Sequence, residues 1–141
     1  MMSKQIFSTI ALFLIISTLP SGVIADDFDG SQPLTCAAIY SAECKAGDQE
    51  CFTGPPWMIN FPVFMLVDFK AKIVTTNKLH ENPRKSVISH FSQLNDGHTA
   101  IQGTDDDYAW SMLIAPETGS MTLTISGEET GYIIFGACQP K

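Results

Sequence analysis

Residues 108–126 read YAWSMLIAPETGSMTLTIS. Tyr108, Trp110, Met112 and Ile114 alternate with smaller residues, and so do Met121, Leu123 and Ile125. In the second half Ser120, Thr122, Thr124 and Ser126 take the other face. A period of two places each apolar set on one side of a β-strand. Pro116-Glu117-Thr118-Gly119 lies between the halves, with Pro and Gly where a turn uses them. A four-residue loop sets Met112 opposite Leu123 and Trp110 opposite Ile125, so the two apolar faces coincide and fix the register.

The same grammar extends outward in both directions. Strands are expected over Leu34 to Ala42, Phe61 to Phe69, Ile73 to Thr76, Ser86 to Leu94, Thr99 to Gly103, Tyr108 to Ala115, Ser120 to Ser126 and Tyr132 to Cys138. Between them lie turn signals: Gly54-Pro55-Pro56, Lys70-Ala71-Lys72, Asn95-Asp96-Gly97-His98, the Asp105–Asp107 run and the 127–131 segment. Residues 77–84, with Asn82-Pro83, read as a polar loop. The 61–69 stretch is bulky on both faces, and no amphipathic helix emerges. An all-β antiparallel meander of seven or eight strands follows. Closure into a small barrel removes the exposed edges; a two-sheet sandwich is the alternative.

Ahead of the strands stands an export signal. Lys4 is followed by an apolar run over 6–16, helix breakers at Pro20 and Gly22, and Val23-Ile24-Ala25 before Asp26. The run is short for a membrane span. Residues 1–25 are therefore a cleaved signal peptide, 26–33 a loose acidic lead-in and 34–141 a single β domain, periplasmic or secreted, with no stable membrane anchor. Cleavage lowers the formal net charge from −7 to −8, because it removes Lys4 and no acid. That charge excludes nucleic acid as a partner and favours solubility.

The cysteines are Cys36, Cys44, Cys51 and Cys138, an even number in an exported domain, which reads as disulfides. Of three pairings, Cys44–Cys51 with Cys36–Cys138 is preferred. The first clasps a polar turn, and the second ties the first strand to the last. Their spacing is not that of a zinc site.

Chemistry-bearing motifs are sparse. His80, His90 and His98 do not converge, and no serine sits in a nucleophile elbow. Asp27-x-Asp29-Gly30 lacks the remaining ligands of a calcium loop, and the Asp105–Asp107 run is a solvated turn. Asp68, inside an apolar strand, needs a partner if it points inward; Lys70 and Lys72 are the nearest cations. No catalytic residue, metal site or cofactor is expected. The element that suggests binding is Pro55-Pro56-Trp57-Met58, either an exposed contact loop or a plug in which Trp57 closes one barrel end. Phe64, Tyr108, Trp110, Met112, Leu123 and Ile125 are expected to line the interior.

Several stretches are held in common with a known group: Leu34-Thr35-Cys36, Cys44 and Cys51, Phe61-Pro62-Val63-Phe64 to Val67-Asp68-Phe69, Gln102-Gly103, Ala109-Trp110-Ser111, Thr118 to Thr122, and Phe135-Gly136-Ala137-Cys138. By these the chain resembles a family of small exported proteobacterial proteins of uncharacterised function. In plan alone it is similar to the small-barrel periplasmic lysozyme inhibitors, without their inhibitory loop motif. The expectation is a non-catalytic exported binding or envelope accessory domain, inhibitor-like, with an unknown protein partner. The alternatives are a barrel carrying a small apolar ligand, which requires a cavity of roughly 300 Å3 or more, and a hydrolase, which requires convergent polar groups in a cleft.

Overall fold

The computed structural model describes residues 27–76 and 83–141; the segment 1–25 read above as a signal peptide, His80 and most of the 77–84 loop lie outside them. Nine strands follow one another: β1 (Leu34–Lys45), β2 (Phe52–Gly54), β3 (Phe64–Asp68), β4 (Ile73–Thr76), β5 (Lys85–Gln93), β6 (Thr99–Asp105), β7 (Tyr108–Ile114), β8 (Ser120–Ser126) and β9 (Thr130–Pro140). A 3-10 turn, Pro56–Ile59, precedes β3. From β3 to β9 each strand pairs with the next, and β1 pairs with both β3 and β9. The result is a closed antiparallel barrel of eight strands, with β2 added beside the far half of β1. Closure, not a sandwich, disposes of the edges.

The β7–β8 hairpin has the register its sequence requires, Met112 opposite Leu123 and Trp110 opposite Ile125. Inward residues are mainly apolar: Leu34, Cys36, Met65, Val67, Ile101, Met112, Ile114, Met121, Leu123 and Ile134 are buried, with Ser41 and Thr99 the buried polar residues among those described. The outer face carries hydroxyl residues such as Ser111, Thr122 and Thr124 among scattered apolar ones. The apolar, filled interior differs from the polar lumen of a membrane-spanning barrel, while the outer face also exposes Tyr40, Phe64, Leu113, Ile133 and Phe135.

Both disulfides form as preferred. Cys36 and Cys138 face each other across the β1–β9 seam that closes the barrel. Cys44–Cys51 lies just beyond the last β1–β2 pair, Glu43 with Phe52. A bulge between Ala38 and Tyr40 shifts the inward parity of β1, so that Ile39 is extruded and Ser41 turns inward. The buried Ser41 hydroxyl donates to the Gly54 carbonyl at 3.0 Å, which satisfies it and holds β2 in place. A second bulge lies between Ile88, which pairs with Gly103, and His90, which pairs with Gln102.

Three expectations need correction. The 26–33 lead-in is not loose where it is described, because Phe28 is buried in the core and its carbonyl accepts the Thr99 hydroxyl. Phe28 closes the barrel end formed by the β6 and β8 starts, where a Cβ on Gly119 would strike its ring. Phe64 does not line the interior. It is 46 % exposed, paired with Ala37 on the outer face, because its neighbours Met65 and Val67 take the inward positions. Asp68 is not held by a lysine; its Oδ1 accepts the Ala71 N–H at 2.8 Å and caps the 69–72 turn.

Candidate functional site

The barrel has two unlike ends. At the Phe28 end the interior is closed. At the other end the strands finish in the 45–51 loop, the 105–108 turn, the 126–130 turn and the segment leading to β3. That end holds Glu43, Asp48, Glu50, the Asp105–Asp107 run, Glu128 and Glu129, eight of the chain's 15 acids. Lys45, Arg84 and Lys85 are the cations placed there among the described residues. Salt bridges at this end are Arg84 to Asp105 (3.8 Å) and Lys45 to Glu43 (3.7 Å), both part-exposed and therefore weak.

The Pro55–Pro56–Trp57–Met58 segment sits over this acidic end. Pro56 is buried and anchors it. The Met58 N–H donates to the Pro55 carbonyl, Asn60 N–H to Trp57, and Phe61 N–H to Pro56. Asn60 ends the turn in the left-handed region (φ 54°), a conformation asparagine tolerates. The turn is thus fixed by hydrogen bonds and by its proline. Its outer side presents Trp57, 67 % exposed, and Met58, 49 % exposed. Trp57 is not the plug. Ile59 and Phe61, from the same segment, turn inward and partly cover the barrel mouth.

Phe52, 44 % exposed, extends the apolar patch. A Cβ on Gly54 would lie 3.2 Å from Met58 Sδ and 3.5 Å from Phe52 Cζ, so both side chains flank the same glycine. The patch was only half visible in the sequence. The Pro-Pro-Trp-Met run marks one side of it, but Phe52 joins through β2, a three-residue strand hidden between Cys51 and the Gly-Pro-Pro breaker.

Beneath Ile59 and Phe61 lies a cavity of about 170 Å3. Tyr108, Trp110, Met112, Leu123 and Ile125 all line it, as their alternation requires. Met65, Val74 and Tyr132 complete the wall. The cavity is smaller than the roughly 300 Å3 that a carrier of a drug-sized ligand needs. Trp110 Nε1–H donates to Ser86 Oγ at 2.7 Å, which holds the indole along the wall, over β6.

A second, open groove of about 680 Å3 is lined by Asp29, Ser31, Lys70, Lys72, Ser89 and His90, with Phe69, Ile88 and Phe91. His90 is exposed on β5, and His98 Nδ1 lies 3.1 Å from Asp96 Oδ1 at the opposite end of the barrel. The backbone N–H of His98, and then its side chain, hold the Asp96 carboxyl below its ordinary pKa. Among the described residues no group of three or more His, Cys, Asp or Glu is placed to hold a metal ion. No described helix is long and apolar enough to cross a membrane.

Tyr132 stands at the cavity mouth, its ring 6.4 Å from that of Tyr108. Burial, then the negative charge of Glu43 and the neighbouring Tyr108, push its phenol above the ordinary value of 10.0. On unfolding, this proton is released at lower pH. The corresponding stability is therefore fully present below about pH 10 and declines as pH rises toward the folded value. A phenolate absorbance titration should show a late step that Tyr132→Phe removes. If the step lost in that variant lies at the ordinary tyrosine value, the assignment is wrong.

Fold and site together define a disulfide-closed β-barrel with a rigid aromatic turn on an acidic end. Comparison of the chain with protein-family models, curated proteins and solved structures gives no match.

Proposed function

We propose that the protein is an exported, non-catalytic binding domain that grips a protein partner through the Trp57 turn. The observation that carries this reading is an exposed tryptophan on a backbone held rigid by three hydrogen bonds and a buried proline. Large aromatic side chains contribute most to interfaces when little conformational entropy is lost on docking, and here little remains to lose. The acids on the turns of this barrel end favour a basic partner surface and a fast, salt-sensitive encounter. Two disulfides suit an oxidising compartment, periplasmic or extracellular. The resemblance to small exported proteobacterial proteins and the shared plan with lysozyme inhibitors agree with such a role.

The test is capture from an envelope extract by immobilised protein. One stoichiometric basic partner is expected, with binding weakened about thirtyfold by Trp57→Ala, the loss typical of a central aromatic anchor. The same variant should change folding stability by less than about 0.5 kcal/mol, as an exposed side chain does. A partner held equally well by the Trp57→Ala and Met58→Ala proteins would defeat the assignment.

A further inference from the structure

We infer that the cavity under Ile59 and Phe61 is a second, separate binding site, for a small neutral molecule about the size of one aromatic ring. Its volume of about 170 Å3 is close to that of an engineered apolar cavity, about 150 Å3, that stays dry and takes up benzene. The walls are of the same kind: Met65, Met112, Leu123 and Ile125, with Trp110 and Phe61. The space is not a general looseness of packing. Ile101, Ile114, Met121 and Ile134 in the barrel are almost fully buried, and Phe28 fills the far end.

The polar groups at the rim indicate the charge of the ligand. Arg84 and Asp105 are the charged residues lining the cavity, and they pair with each other. Ser86 Oγ already accepts the Trp110 indole N–H, and Thr76 Oγ1 accepts the Arg84 backbone N–H. An ion in the cavity would lose its hydration without gaining a counter-charge, whereas a neutral ring loses nothing comparable. A single hydroxyl or amide on the ligand would sit at the mouth, near the exposed Asn60 and the Tyr108 ring edge. This site does not depend on the partner-binding reading, since Trp57 points away from it.

Three probes of one size separate the possibilities: benzyl alcohol, benzoate and benzylammonium. The readout is the methionine methyl spectrum of the whole exported chain. Met65 and Met112 line the cavity, Met121 lies in the closed part of the core, and Met58 is outside. Benzyl alcohol is expected to shift the Met65 and Met112 methyls saturably and to leave Met58 and Met121 in place. The charged probes should bind about tenfold more weakly or worse. Trp57→Ala should leave this binding intact, which distinguishes failure here from failure of the docking surface. Ile125→Phe, which fills the mouth, should weaken benzyl alcohol by about tenfold; if that variant does not fold, the parent titration alone decides. No saturable shift, a shift confined to Met58, or equal binding of a charged probe would overturn the inference.

Discussion

Removing the Cys36–Cys138 bridge, by Cys36→Ser with Cys138→Ser, is expected to lower the unfolding free energy by about 4 kcal/mol. The two cysteines are 102 residues apart, so the bridge encloses nearly the whole folded domain. In the chain-entropy account, a loop of that length restrains the unfolded state by about 4–5 kcal/mol. Both residues are buried at the one seam where distant parts of the chain must meet. The Cys44–Cys51 bridge spans a separation of 7, and the same account gives it about 2.5 kcal/mol. Urea denaturation of the two double variants tests the ordering. If losing the local clasp costs more than losing the long bridge, closure entropy is not what the seam disulfide supplies.

Gly103→Ala is expected to cost about 3 kcal/mol, the upper part of the range for overpacking. An added Cβ at Gly103 would lie 2.2 Å from the Val87 carbonyl oxygen and 2.4 Å from Cζ2 of Trp110. The first obstacle is backbone, which yields only by moving β5 away from β6. The second is the indole that faces Gly103 across the β6–β7 ladder and lies over it. The bare glycine thus lets Trp110 reach Ser86 on β5 and form the cavity wall. Chemical denaturation measures the loss. Adding Trp110→Ala should relieve one collision and leave the other, so the double variant should be less destabilised than the sum of the two singles. A Gly103→Ala protein as stable as its parent would show that β5 gives way easily.

The cavity wall was legible from residue order where alternation was unbroken. Tyr108 to Ile125 could be assigned a face because small or hydroxyl residues separate the large ones. The 61–69 stretch could not, since Phe64 and Met65 are both large and apolar. Which of them points inward depends on Cys36 facing Met65 across the β1–β3 ladder. Tyr132 and Phe61 join the wall only because β9 lies beside β8 and the 3-10 turn folds over the mouth. Trp57 shows the same limit. Its run of neighbours marks a binding loop or a plug equally, and its direction is decided by the hydrogen bonds that wind residues 55–61 into one turn.

By itself, the order of residues determined most of the antiparallel strands and the β7–β8 register, and it favoured one of three cysteine pairings. These follow from periodicity, turn chemistry and the position of each cysteine along the chain, all of which are local or countable. Only the tertiary structure decided that the sheet closes on itself, that Phe28 shuts one end, and that acids from three stretches of the chain, 43–50, 105–107 and 128–129, gather at the other. Those outcomes depend on strand stagger and on two bulges that change inward parity. Both are properties of strands already paired, and neither is encoded in any one stretch of the chain.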